Sequence, residues 1–268
     1  MADDSFDASL DLFRRLNPKN ISKNLNSLCQ IAPNLAEDLL SSVDQPLGVK
    51  MCKKTGKKYL TCDYNRDGDS YRSPWSGEYD PQLPDGVAPS DDLRKLEVFA
   101  NDSFDIYRDL YYEGGISSVY LWDQDDGFAG VALFKKGSEE TSSSGSSGWD
   151  SIHVFEVEST GRKSAVYKVT STVILDVNSK VQSLGSLELS GNLTRQTEQS
   201  LPVEDSGSHI ANIGTMIEDI ESKLRNVLNE VYFGKTRDII GDLRTVASIS
   251  ETNSQNKLHS EVAKGLGA

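Results

Sequence analysis

Between Ile210 and Val231 apolar residues recur at spacings of three and four without a miss: Ile210, Ile213, Ile217, Ile220, Leu224, Val227 and Val231. That period predicts one long helix with a continuous apolar seam, which needs a partner surface. A second helix in a coiled coil and a β-sheet compete for the seam. Three heptads are marginal for a coiled coil, and the stretch just upstream is rich in strand-forming residues. The seam is therefore read as lying across a sheet, with Gly234 ending or bending the helix.

The upstream stretch supplies that sheet. Runs at 117–122, 128–136, 151–158 and 164–176 are dense in Val, Ile, Tyr, Phe and Thr, and a fifth strand is read at 185–194. Asp125-Asp126-Gly127, a serine-glycine tract from Gly137 to Gly148, Ser159-Thr160-Gly161 and a polar turn separate them. This pattern predicts a five-stranded antiparallel meander, with the serine-glycine tract as a mobile hairpin loop.

The N-terminal part reads as three short helices. Phe6, Leu10 and Phe13 form one stripe, Ile21, Leu25 and Leu28 a second, and Leu35, Leu39 and Val43 a third, divided by Asn17-Pro18 and Pro33. None is long enough to be stable alone, so they are expected to form a small bundle. Lysines 50, 53, 54, 57 and 58 then crowd ahead of a strand-like run, 59–64, followed by a proline-punctuated stretch carrying Trp75 and Tyr79. Ser90-Asp91-Asp92 starts a further helix with a stripe of Leu93, Leu96, Ala100, Tyr107 and Tyr111, ending at Gly114-Gly115. In the polar tail only Leu258, Val262 and Leu266 keep a helical face.

The fold expected is α+β, one compact unit of five parts. These are a three-helix stalk (1–46), a small β-rich middle with a connecting helix (47–115), an antiparallel sheet (116–200), a long helix over it (201–247) and an amphipathic tail (248–268).

The chemistry that the sequence leaves out narrows the function. The net charge of −13 over 268 residues argues against general nucleic-acid binding. No run approaches the roughly 20 apolar residues of a membrane helix. The acidic start Met1-Ala2-Asp3-Asp4-Ser5 lacks the basic and apolar regions of a secretory leader. Cys29, Cys52 and Cys62 stand at no metal-ligand spacing, as free structural thiols of a reducing compartment would. His153, His209 and His259 have no zinc-site neighbours, and there is no nucleophile elbow or phosphate loop. Asp63-x-Asn65-x-Asp67-Gly68-Asp69 resembles half of a calcium loop, but Pro74 stands where its bidentate Glu belongs, so an Asx-stabilised turn is the better reading. These observations describe a binding protein without cofactor, metal or catalytic centre.

Cys62-Asp-Tyr-Asn-Arg-Asp-Gly-Asp-Ser-Tyr-Arg-Ser-Pro-Trp-Ser76 resembles the signature of the β subunit family of the heterodimeric F-actin capping protein. Leu39-Leu-Ser-Ser-Val-Asp-Gln-Pro46, Gly115-Ile-Ser-Ser-Val-Tyr-Leu-Trp122, His209-Ile-Ala-Asn-Ile-Gly214 and Asn229-Glu-Val-Tyr-Phe-Gly-Lys-Thr236 extend the likeness over about residues 5 to 245. The resemblance implies an obligate α-subunit partner whose sheet joins this one edge to edge. It also implies calcium-independent capping of actin barbed ends in the cytoplasm, with no bond made or broken. It points to Lys136 and Arg225 as basic contacts to actin, and to Leu258, Val262 and Leu266 as an apolar tail docked on it. Arg15 and Tyr79 are expected contacts for regulatory peptides, and acidic phosphoinositides are expected inhibitors. The short, glycine-containing tail leaves a non-capping scaffold or adaptor on the same fold as the alternative.

Overall fold

The computed structural model describes residues 2–15, 20–137, 145–161, 163–181, 185–235 and 237–239. Its contacts divide the chain into Met1–Glu221 and Ser222–Ala268.

The N-terminal helices are α1 (Ala2–Arg15), α2 (Ile21–Ile31) and α3 (Ala36–Ser42), the last led in by a 3-10 turn at Pro33–Leu35. The expected stripes meet in one buried cluster of Ile21, Leu25, Leu28, Leu35, Leu39 and Val43, with Phe6 and Leu10 against it. Phe13 lies outside the described side chains. Mutual burial is what holds helices this short.

In the turn-rich middle, β1 (Gly48–Met51) pairs with β2 (Lys58–Thr61), and β3 (Arg66–Asp67), β4 (Ser70–Arg72) and β5 (Tyr79–Asp80) form a second small sheet. The strand-like run stops at Thr61, because Asp63–Asn65 turns away as a 3-10 element. Asn65 holds that turn. Its amide donates to the Leu60 and Arg72 carbonyls, and its Oδ1 accepts from the Cys62 N–H at 2.9 Å. The lysines do not form an open basic patch. Lys50 and Lys57 lie over the Tyr71 and Trp75 rings at 4.3 Å, while Lys53 and Lys54 pair with Asp80 and Glu78.

Helix α4 runs over Asp91–Tyr112, and the chain reverses through Glu113 and Gly114, at φ 46° and 92°. Gly114 suits that left-handed position because it has no Cβ to clash. Leu93 and Ala100 are buried, as the stripe predicts, but Phe104 and Tyr112 are buried where Tyr107 and Tyr111 were expected. Tyr107 is half-buried and Tyr111 41% exposed. The true face advances by fours from Ala100 to Phe104 and on to Tyr112.

The sheet follows as β6 (Ile116–Gln124), β7 (Gly127–Gly137), β8 (Gly145–Ser159), β9 (Ser164–Val181) and β10 (Gly185–Pro202). Each strand pairs antiparallel with its predecessor, giving the order β10-β9-β8-β7-β6. Asp125-Asp126 makes the two-residue turn between β6 and β7. β8 begins at Gly145, so the last part of the serine-glycine tract is strand rather than loop, and residues 138–144 lie outside the described residues. One face packs Tyr120, Val131, Leu133, Ile152 and Ile174 with Leu47 and Leu60 from the middle region. The other face meets the helices: Phe134 stacks on Tyr112 of α4 with ring centroids 5.1 Å apart.

Helix α5 spans Ser206–Asn229 and passes into a π-helical segment, Glu230–Lys235, which contains Gly234. Its N-terminal part lies over the sheet, with His209 against the Phe128 and Tyr167 rings. That answers the choice between sheet and coiled coil. Ile210, Ile213, Ile217, Ile220 and Leu224 are buried as expected, but Val227 and Val231 are 36% and 42% exposed, and Met216 and Leu228 are buried instead. A straight helix drifts about 20° per heptad from a 3.5 repeat, so the buried stripe walks off the later seam positions. Among the described residues no helix is long and apolar enough to cross a membrane.

Candidate functional site

A sheet of five strands has two edges, and each presents unpaired peptide groups that invite another chain. Here the two edges differ. Along β6 the outward-facing groups include those of Val119 and Leu121, and both residues are occupied. Asn101 accepts from the Val119 N–H and donates to the Val119 carbonyl, both at 2.9 Å. Glu97 accepts from the Leu121 N–H at 2.6 Å, and Arg72 reaches the Leu121 carbonyl at 3.3 Å. One step further, Ser117 Oγ donates to Asp105 at 3.3 Å.

Glu97, Asn101 and Asp105 are four residues apart on α4, and their partners are two apart on β6. Four helical residues rise about 6.0 Å, and two strand residues about 6.6–6.8 Å. The near match lets one helix face serve as a surrogate strand. Glu97 is fully buried and also takes a bidentate pair from Arg72 at 2.7 Å and a bond from Arg94. Burial opposes the Arg72 charge, but the hydrogen bonds and charge of Glu97 outweigh it and raise its pKa. At the end of the edge the Ser90 N–H and hydroxyl both donate to Asp123, which holds that carboxyl below its usual pKa.

Among the described residues no strand pairs with the far side of β10. Carried across the unbroken registers from Val119 and Leu121, the alternation of peptide direction leaves Thr194, Gln196, Glu198 and Ser200 facing outward. All four residues are exposed. This is the long edge, 18 residues against the 9 of β6.

A second feature lies under α5. Glu221, 1% exposed, sits within the apolar seam. It accepts from the Tyr107 hydroxyl at 3.0 Å and from Tyr112, and meets His153 Nε2 at 3.0 Å. His153 Nδ1 lies 2.7 Å from Ser171 Oγ, and Trp149 Nε1 donates to Ser151 Oγ at 2.7 Å, which also contacts Tyr112. A buried carboxyl must find its partners, so this cluster fixes the register of α5 on the sheet. His153 is thus a member of a helix-locking network. The sequence signal for it is a single Glu one residue after Ile220, on a face that is otherwise apolar.

The residues expected to touch other molecules are scattered over separate elements. Lys136 is exposed near the end of β7 and pairs with Glu113 at 3.1 Å. Arg225 is half-buried on α5. Arg15 closes α1, its side chain outside the described ones, and Tyr79 on β5 donates to the Val87 carbonyl at 2.8 Å. Leu258, Val262 and Leu266 lie outside the described residues.

Comparison with known proteins agrees with the motif pattern. Residues 6–240 match the family model for the F-actin capping protein, beta subunit. A Yarrowia lipolytica protein named F-actin-capping protein subunit beta is 64% identical over 271 residues, covering 99% of this chain and 100% of its own. An Aspergillus oryzae protein of the same name is 59% identical over 267 residues, covering 99% of each. Among solved structures, a homodimeric actin capping protein alpha subunit from Plasmodium berghei superposes with a TM-score of 0.56 at 16% identity, covering 92% of this chain and 98% of that one. That likeness extends the shared fold to a subunit of the other type. With its motifs, its fold and its 64% and 59% identity to named relatives over nearly the full length in agreement, the chain belongs to the F-actin capping protein beta subunit family.

Proposed function

We propose that this chain forms an obligate heterodimer with an α subunit, and that the pair binds the barbed end of an actin filament and blocks subunit addition and loss there without calcium. Identity of 64% over nearly the full length to a relative named for F-actin capping is the observation that carries this. The open β10 edge supports the manner of assembly: an α subunit of the same fold extends the sheet through outward peptide groups such as those of Gln196 and Glu198. Binding then rests on surface, not on bond chemistry, and places the protein on the cytoskeleton.

Lys136 and Arg225 contribute positive charge toward acidic actin, which steers association in spite of the net charge. The tail, with Leu258, Val262 and Leu266, docks in an apolar groove. Arg15 and Tyr79 meet regulatory peptides, and acidic phosphoinositides compete for the basic contacts.

Elongation from seeded filaments, followed while the co-expressed heterodimer is titrated, tests the proposal. Growth stops at barbed ends and continues at pointed ends if it holds. Undiminished growth with a folded heterodimer overturns it in favour of the adaptor reading. Removal of residues 251–268 weakens end binding and leaves the α partner bound.

A further inference from the structure

Two six-residue turns in the middle region share one geometry. In the first, the Cys52 N–H donates to the Lys57 carbonyl and the Gly56 N–H returns to the Cys52 carbonyl. In the second, the Ser73 N–H donates to the Glu78 carbonyl and the Gly77 N–H returns to Ser73. Gly56 and Gly77 fill the same left-handed position, at φ 70° and 76°. The turns meet where Cys52 of one faces Ser73 and Ser76 of the other. Cys52 Sγ is 3.6 Å from Ser76 Oγ.

Beside this meeting point is a cavity of about 530 Å³ lined by Cys52, Tyr59, Ser73, Ser76, Tyr79 and Asp80, among others. One of its wall groups lacks a partner: the Tyr59 hydroxyl makes no hydrogen bond, although the residue is 0% exposed. A buried hydroxyl without a partner costs free energy, so one lining a cavity beside a thiol marks a place for a small polar molecule. One thiol with three hydroxyls is not a zinc donor set.

The sulfur itself is primed. Burial pushes the Cys52 thiol up, but Ser73, Thr55 and Ser76, with the Thr55 backbone, stabilise the anion more strongly and bring the pKa down to about 6. In Cys62 the balance is reversed: burial dominates, backbone hydrogen bonds offset it only partly, and the thiol is pushed up to about 12.

We propose that Cys52 is a peroxide-reactive thiol, and that hydrogen peroxide enters this cavity and is held by the Tyr59 hydroxyl against the sulfur. The thiolate attacks one peroxide oxygen, an S–O bond forms and the O–O bond breaks. Sulfur is oxidised to the sulfenic acid. The other oxygen leaves as hydroxide and takes a proton from solvent to become water.

The test treats the full chain, alone or with an α subunit, with hydrogen peroxide and a sulfenic-acid trap at neutral pH, and follows each cysteine by peptide mass spectrometry. The trapped adduct is expected on Cys52 about ten-fold or more faster than on Cys62. Its rate reaches half-maximum near the Cys52 pKa of about 6. Tyr59→Phe slows it about three-fold or more; it removes only an unbonded hydroxyl, so it tests the cavity without unfolding the chain. Equal labelling of Cys52 and Cys62 overturns the proposal. So does a rate still climbing in the range of an ordinary thiol, pKa about 8.5.

Discussion

The two edges of the central sheet address the same hazard in opposite ways. β6 is covered from within by Glu97, Asn101 and Asp105, while β10 has no pairing strand on its far side among the described residues and carries exposed polar residues. The difference gives the sheet a direction. Growth is blocked at one end and allowed at the other, so a second sheet has one place to add.

The comparison breaks most completely if the covered edge is stripped. Glu97→Ala leaves Arg72 buried without its carboxylate and frees the Leu121 N–H; we expect a loss of about 3–5 kcal/mol, read as a fall in the denaturation midpoint. Asn101→Ala unpairs both Val119 groups at once and is expected to cost about 2–3 kcal/mol in the same measurement. Gln196→Pro sharpens the contrast from the other side. It removes an outward N–H from β10 and is expected to change the chain's own stability by less than about 1 kcal/mol, while weakening assembly with an α subunit about ten-fold in a binding titration. Equal effects of Gln196→Pro on fold and assembly would show that β10 is not the joining edge.

The smallest effect comes from His209, which lies on neither edge. Burial holds its pKa below the usual histidine value, and the Asp205 charge offsets this only partly. Because the folded value is the lower one, the neutral ring's contribution is complete above the unfolded value of about 6.5 and is lost as pH falls through the folded value. An NMR titration of the imidazole with a midpoint at or above 6.5 would contradict this.

The helical stripes and the strands were legible because period and burial agree there. The bundle core from Ile21 to Val43 repeats the sequence pattern residue by residue. The five strands are present, and β10 extends well beyond the run that predicts it, because its exposed later part, Arg195 to Ser200, carries no apolar signal. The covered edge was illegible because Glu97 and Asn101 read as surface residues. Their clue was their position on the same face as Leu93, Ala100 and Phe104. Asn101 also sits in an N-x-Ser triplet, a glycan-acceptor pattern, yet it is 3% exposed and bonded through its amide. Site residues were hardest to read, since an exposed cation such as Lys136 looks alike in sequence whether it meets Glu113 or another protein.

The helix-on-strand ladder behaves like a vernier. Each rung accumulates a mismatch of about 0.6–0.8 Å between helical rise and strand rise. Three rungs span two such steps, an offset of about 1.2–1.6 Å, and at the third Asp105 already meets the Ser117 hydroxyl rather than a peptide group. The scale therefore sets a maximum length for any edge closed this way. β6, at 9 residues, falls within it, whereas the 18-residue β10 does not. A strand as long as β10 has to be matched by something with its own repeat, which only another strand provides.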